Sequence, residues 1–215
     1  MNVKESYNLW ADQYDSDENK TRDMEAIALK KSLSGLQFSS VLELGCGTGK
    51  NTEWLLSLSD KVVSIDFSEE MLAKAKSRIH SHKVIFLQAD LNENWIFADH
   101  GPFDLVTFSL VLEHIEDIEH IFNELDKVVI NGGRVYMGEL HPFKQYTGSQ
   151  ARFENQKGMH KIPCFVHNIS DFTNTAGRYD FKVELVDEVF DQNERSNIPR
   201  LLVLVLSKEN SKGAA

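Results

Sequence analysis

Three glycines fall within five positions of VLELGCGTGK, residues 41–50: Gly45, Gly47 and Gly49. Glycine permits positive φ and close approach at an entropic cost, so a turn this rich in glycine marks a place where a ligand or a backbone must come near. Acids accompany it. Glu43 stands two residues before Gly45, Asp66 ends the apolar run KVVSI, and Asp90 follows KVIFLQ. Two histidines, His114 in LVLEHIED and His141 in GELHPF, follow later apolar runs. An imidazole at such a place can serve as a general base for a hydroxyl or a protonated amine.

Three ligand classes compete for the turn. A triphosphate loop needs GxxxxGK followed by Ser or Thr. Here the first glycine position holds Leu44, and Asn51 follows Lys50. The dinucleotide fingerprint GxGxxG meets Lys50 where its third glycine should be, so a nicotinamide-dependent oxidoreductase is disfavoured. The Glu43 carboxylate would repel a pyrophosphate and welcome a cation. Asp66, at a strand end, is placed to accept hydrogen bonds from ribose hydroxyls. Acids on three successive strands describe a ligand with a nucleoside, a positive charge and no phosphate.

The surrounding pattern supplies the scaffold. Residues 1–33 read as helical, with Tyr7, Trp10, Ala11 and Tyr14 at i, i+3, i+4, i+7 and a second helix over 22–33 ending near Gly35. Strands are predicted at 41–44, 61–65, 83–88, 103–111 and 134–140. Helices are predicted at 51–58, from the Ser68 cap through Ile79, and from Ile118 to the Asn131-Gly132-Gly133 stop. This alternation implies a parallel sheet covered on both faces, and near-continuous apolar strands agree. Ligands bind at the C-terminal edge of such sheets. Residues 141–168 show no period and read as an irregular insert. A short helix capped by Ser170 is expected over 169–177, then an antiparallel hairpin of 179–190 and 200–207, with a frayed tail from Lys208.

Composition sets bounds. The 215 residues suit a single domain, and the net charge of −10 disfavours a nucleic-acid partner, which binds through a basic face. Neither Cys46 nor Cys164 belongs to a CxxC pair, so no metal site is expected; Glu116 and His120, at i, i+4, do not make one by themselves. The N-terminus lacks the apolar core of a secretory signal, and no run approaches bilayer length. A soluble, cytoplasmic protein with no membrane partner is the expectation; oligomeric state leaves no mark in the sequence.

VLELGCGTGKNTEWL, VVSIDFSEEMLAKAK, FLQAD, FDLVTFSLVLEHIED and NGGRVYMGE, in this order and spacing, resemble the class I S-adenosylmethionine-dependent methyltransferases. The resemblance is strong over 40–140 and looser outside. It implies a Rossmann-like three-layer α/β/α sandwich whose seven-stranded, mostly parallel sheet has one antiparallel strand. It divides a single domain, 1–215, into an N-terminal helical lid (1–35), a cofactor-binding core (40–140), an acceptor-side insert (141–178) and a C-terminal hairpin (179–207). The cofactor it implies is S-adenosylmethionine, leaving as S-adenosylhomocysteine. Carried over by position, the turn Gly45, Cys46, Gly47 and Gly49 lies against the methionine part, with Glu43 supporting that end. Asp66 takes the ribose, Phe67 and Met71 flank the adenine, Asp90 with Leu91 meets its amino group, and Ser109 and Leu110 line the methionine end. Tyr14 matches a lid tyrosine.

The implied activity is methyl transfer to an O or N atom of a small molecule, with His141 and His114 as candidate bases. Ser109-Leu110-Val111-Leu112 is not the Asn/Asp-Pro-Pro-Tyr/Phe of enzymes acting on base nitrogens, and no Pro-Cys pair occurs. Gln150, Arg152, Phe153, His160 and His167 are candidates to shape the acceptor pocket. A protein or RNA acceptor, or a non-catalytic S-adenosylmethionine-binding module, is the alternative.

Overall fold

The computed structural model describes residues 1–156 and 158–209. Two helices come first, α1 (Val3–Trp10) and α2 (Lys20–Ser32), each opened by an asparagine cap, Asn2 and Asn19. The caps satisfy amide groups that a helix start leaves without partners. The expected helical face over Tyr7, Trp10, Ala11 and Tyr14 is interrupted: α1 stops at Trp10, and the chain turns through 11–17. Tyr14 returns by that turn to meet the Trp10 ring edge-on, with centroids 4.8 Å apart.

The alternating region follows as β1 (Phe38–Leu44), α3 (Lys50–Leu55), β2 (Ser59–Asp66), α4 (Glu69–Arg78), β3 (Val84–Gln88), β4 (Phe103–Ser109), α5 (Ile118–Val128) and β5 (Val129–Leu140). The insert holds α6 (Pro142–Tyr146) and a hairpin of β6 (Arg152–Asn155) and β7 (Gly158–Lys161). The chain closes with α7 (Ile169–Arg178), β8 (Phe181–Val189) and β9 (Leu201–Lys208). The strand order is β3-β2-β1-β4-β5-β9-β8, and β9 runs antiparallel to both of its neighbours. The seven-stranded, mostly parallel sheet is therefore present as expected.

Successive strand residues point to opposite faces, and both faces are apolar. Leu42, Leu44, Val63, Ile65, Val106 and Phe108 pack with α5 and α7 on one side. Val41, Val62, Leu105, Tyr136, Val203 and Val205 pack with α2 and α3 on the other. A third cluster of Trp10, Phe153 and Ile162 joins the N-terminal segment to the β6–β7 hairpin.

The insert is thus more regular than its composition suggests. Phe153 stacks on Trp10 at 5.4 Å and on His160 at 5.0 Å, so the hairpin takes its order from contacts more than 140 residues away in sequence, which no local period reveals. The cap of α7 is also displaced: Asn168 precedes the helix and donates its backbone N–H to Asp171 at 2.7 Å, whereas Ser170 lies inside. The expected frayed tail falls almost wholly on 210–215, outside the described residues. No described helix is long and apolar enough to cross a membrane.

Candidate active site

The three glycines have three different reasons to be glycine, and all sit at positive φ. A Cβ on Gly45 would overlap the Val111 side chain, so this position lets β1 and the loop after β4 meet. A Cβ on Gly49 would press on Ile79 Cδ1 at 3.0 Å and Ala75 Cβ at 3.2 Å, so this glycine seats α4. Only Gly47 opens into space, with nothing within 4 Å. Gly49, expected at the ligand, instead lines none of the cavities described below. The turn is pinned to β2 by N–H bonds from Gly45 and Cys46 to the Ile65 carbonyl at 2.8 and 2.9 Å.

Above the turn lies a cavity of about 330 Å³ at the C-terminal edge of the sheet. Of the expected cofactor residues, Tyr14, Gly45, Gly47, Asp66, Phe67, Met71, Asp90, Leu91, Ser109 and Leu110 line it, as does the candidate base His114. Asn2, Val3, Tyr7, Asn92 and Val111 join them unpredicted. Met71 is fully buried, so it serves core and cavity at once.

Asp66 is held by two backbone donors, Gly47 N–H at 2.7 Å and Ser68 N–H at 2.8 Å. Loss of water pushes its carboxyl up to about 6, against the pull of those bonds. Asp90 accepts from the backbone and side chain of Asn92 at 3.0 and 2.8 Å.

A smaller recess extends from the turn beneath Tyr14, lined by Glu43, Cys46, Arg22, Glu25, Ser109 and Leu110 among others. Glu43 does not present itself as a free carboxylate there. It accepts from Thr52 Oγ1 of α3 and, at 2.8 Å, from Ser64 Oγ of β2, and burial pushes it up to about 7. It ties the turn to its flanking elements. Cys46 is buried, and burial raises its thiol well above the ordinary value.

Two residues of α2 were not anticipated. Glu25 accepts from Ser109 Oγ at 2.7 Å and Tyr136 Oη at 3.1 Å, and burial lifts it to about 7. Arg22 lays its guanidinium 4.7 Å from the Tyr14 ring centre and leaves a buried Nε without a hydrogen-bond partner. Glu25, an acid beside Ala28 and Leu29 on the buried face of the helix, was the only local signal.

A second cavity, of about 480 Å³, adjoins the first across Tyr7, Tyr14 and Leu110, which line both. Leu110 sits at φ +58, a conformation that costs non-glycine residues about 1–3 kcal/mol. Its N–H bonds the Gly138 carbonyl at 2.8 Å, which holds it there. Of the candidate acceptor residues, Gln150 and Arg152 reach this cavity. Phe153 and His160 belong to the aromatic stack, and His167 bonds the Ile115 carbonyl at 2.7 Å.

The two histidines separate sharply. His114 has Nδ1 at 2.9 Å from the Pro163 carbonyl, which can only accept, so that nitrogen carries the proton. Its Nε2 therefore accepts from the Tyr7 hydroxyl at 2.9 Å. Burial holds its pKa below the usual histidine value, so it is neutral at pH 7. His141 lines neither cavity. It is fully buried, accepts from Phe143 N–H at the start of α6 and donates Nε2–H to Glu188 at 3.0 Å. With both nitrogens committed away from the ligand edge, it is a structural clasp, and its expected role as a base is corrected. Sequence position put it just after β5, but its ring turns toward β8.

Glu139 supports the loop that carries Leu110 and His114. Its Oε1 accepts from Val111 N–H at 3.2 Å and Leu112 N–H at 3.1 Å, its Oε2 is buried without a partner, and burial pushes it up to about 8. The N-terminal segment is clasped over the first cavity by Asp15 to Arg78 and Thr48, Lys74 to Asp12 at 2.8 Å and Ser68 to Asn8 at 2.6 Å. Among the described residues no group of acids, histidines and cysteines is arranged to hold a metal.

Comparison with known proteins follows the same lines. Residues 42–137 match the family model described as "Methyltransferase domain". The demethylmenaquinone methyltransferase of Lactococcus lactis is 34% identical over 154 residues, covering 65% of this chain and 59% of that protein. The malonyl-[acyl-carrier protein] O-methyltransferase of Salmonella typhimurium is 36% identical over 110 residues, covering 51% and 42%. The chain thus spans roughly two fifths to three fifths of the length of these curated relatives. A solved DhpI–SAH complex superposes with a TM-score of 0.72 at 27% identity, covering 96% of this chain and 97% of that one. The turn, the acids on successive strands, the strand order and these likenesses agree: the fold is that of the class I S-adenosylmethionine-dependent methyltransferases, and residues 42–137 match a methyltransferase domain.

Proposed function

We propose that this chain transfers a methyl group from S-adenosylmethionine to an O or N atom of a small-molecule acceptor. The observation that carries the reading is the pair of cavities meeting at Tyr7, Tyr14 and Leu110, one floored by Gly47 and edged by Asp66, the other polar and open to an acceptor.

The residues present suit the cofactor. Gly47 leaves the only open Cβ position of the turn. Asp66 keeps lone pairs for a ribose diol beyond its two backbone bonds. Phe67, Met71 and Leu91 give an apolar slot for the adenine, with Asp90 and Asn92 at its rim. In the recess, Arg22 Nε makes no hydrogen bond and suits a carboxylate, and the Glu25 carboxyl oxygens can accept from an ammonium nearby, while Glu43 braces the turn from behind. When bound, S-adenosylmethionine supplies an electrophilic methyl group on a sulfonium.

The chain's own residues then do two things. The N-terminal segment, residues 1–35, acts as the lid: its ion pairs hold Tyr7 and Tyr14 between the cavities, exclude water and align the acceptor, which is the larger part of what such a transfer needs. Tyr7 and His114 handle the proton. An acceptor hydroxyl donating to Tyr7 Oη lets Tyr7 pass its own proton to His114 Nε2, while Nδ1–H stays on the Pro163 carbonyl. A neutral amine would need neither.

The names of the two relatives support a small or carrier-borne acceptor. Thermal unfolding with S-adenosylhomocysteine, S-adenosylmethionine and NADH in separate samples tests the cofactor. A ligand at about a hundred times its Kd stabilises the fold by roughly 2.7 kcal/mol. A shift with the first two alone is expected, and a shift with NADH alone refutes the reading. Transfer of a labelled methyl group across an acceptor panel then tests catalysis against a purely binding module.

A further inference from the structure

The second cavity gathers three cations and two acids, Glu18 and Glu113, in a protein whose net charge is −10. Lys20, Arg152 and Arg200 line it. Two of these are partly neutralised by one acid: Arg200 makes a two-pronged pair with Asp191 at 2.6 Å for each bond, and Lys20 reaches the same carboxylate at 3.3 Å. Arg152 has no ion pair or side-chain hydrogen bond among the described residues, and it is exposed.

The β6–β7 register adds an independent observation. Arg152 stands directly opposite Lys161 in the antiparallel pair. Like charges facing one another across two strands destabilise the pairing, and Lys161 likewise has no acidic partner among the described residues. The hairpin tolerates this repulsion because Phe153, on its other face, is anchored in the Trp10 stack. Two cations without acidic partners among the described residues are therefore held opposite one another, Arg152 lining the cavity and Lys161 beside it in the hairpin. An oxyanion between them would turn repulsion into a clamp, and the guanidinium's planar fork suits carboxylate and phosphate-type oxygens alike.

We propose that the β6–β7 hairpin is an anion clamp, and that the methyl acceptor is a small molecule bearing an oxyanion held by Arg152 with help from Lys161. The proposal rests on the methyl-transfer reading for the assignment of this cavity to the acceptor. The clamp would fix the charged end of the acceptor while Tyr7 meets its reactive end, so charge sets which molecules are aligned.

The test is binding. Protein saturated with S-adenosylhomocysteine is titrated with sodium phosphate, sodium malonate or glycerol at constant ionic strength, followed by calorimetry and by the fluorescence of Trp10, which stacks on Phe153 beside the clamp. At least one oxyanion should bind and glycerol should not. Arg152→Gln should weaken that binding tenfold or more and Lys161→Gln several-fold, with S-adenosylhomocysteine affinity unchanged in both. Phosphate alone would point to a phosphoryl-type acceptor and malonate alone to a carboxylic one. Oxyanions binding no better than chloride, or Arg152→Gln binding like the wild type, overturns the clamp. Failure of the wild type to bind S-adenosylhomocysteine would overturn the methyl-transfer reading instead.

Discussion

Glu139→Gln should make the protein more stable in alkaline solution while leaving it little changed in acid. In the folded chain Glu139 is buried, gives Oε1 to two backbone N–H groups and leaves Oε2 without a partner. Its pKa is pushed from an ordinary 4.5 to about 8, first by burial and then by neighbouring Glu113. The sign follows from linkage. Between those values the unfolded chain has lost the proton and the folded chain keeps it, so stability is full below about 4.5 and falls as pH rises through about 8. At about 1.4 kcal/mol per pH unit the whole interval is worth about 5 kcal/mol, and water entry and local relaxation reduce this to roughly 2–3 kcal/mol. The amide of Gln keeps the acceptor oxygen and never ionises. Urea unfolding of both proteins from pH 5 to pH 9 measures the difference. The curves should nearly coincide at pH 5 and diverge in favour of the variant by pH 8. Parallel curves across the range would show that Glu139 is not protonated in the fold, and the account of the loop it braces would fall with it.

Other substitutions probe separate parts of the site. Gly45→Ala forces a methyl group onto Val111 and a left-handed φ onto alanine; it should cost about 2–4 kcal/mol in a thermal or urea melt, and Val111→Ala should restore part of it. His114→Gln should lower kcat for a hydroxyl acceptor by about 10²–10⁴ with an unchanged S-adenosylhomocysteine Kd. His141→Gln, by contrast, should lower stability by roughly 1–3 kcal/mol and leave kcat within a few-fold, because its ring touches neither cavity. Asp66→Asn should weaken S-adenosylhomocysteine by about 1.5–3 kcal/mol, the range for hydrogen bonds to a charged group, as read by calorimetry; an unchanged affinity would remove Asp66 from the cofactor site.

Much of the fold could be read locally. The strands at 41–44, 61–65 and 83–88 were legible from their apolar runs; the structure extends the first two by a few residues, to 38–44 and 59–66, and begins the third one residue later, at Val84. The acids at strand ends were legible for the same reason: a strand's last residue in an open parallel sheet has a known destination. The β6–β7 hairpin was not legible, because its order comes from Trp10 rather than from its own pattern. Arg22 and Glu25 were missed because a helix period tells which face is buried and not what lies across from it.

What the sequence alone determined was the sheet, the position of the glycine turn and the acids, Asp66 and Asp90, that line the cavity above it, since each follows from period, chain order and the chemistry of single residues. What only the tertiary structure decided was which side chains turn inward. His114 and His141 both follow strands at the ligand edge, yet one shares a proton with Tyr7 beside the cavity and the other is locked to Glu188. The three glycines, alike in sequence, divide among Val111, open space and Ala75. These outcomes depend on contacts between segments far apart in the chain, and no local rule contains them.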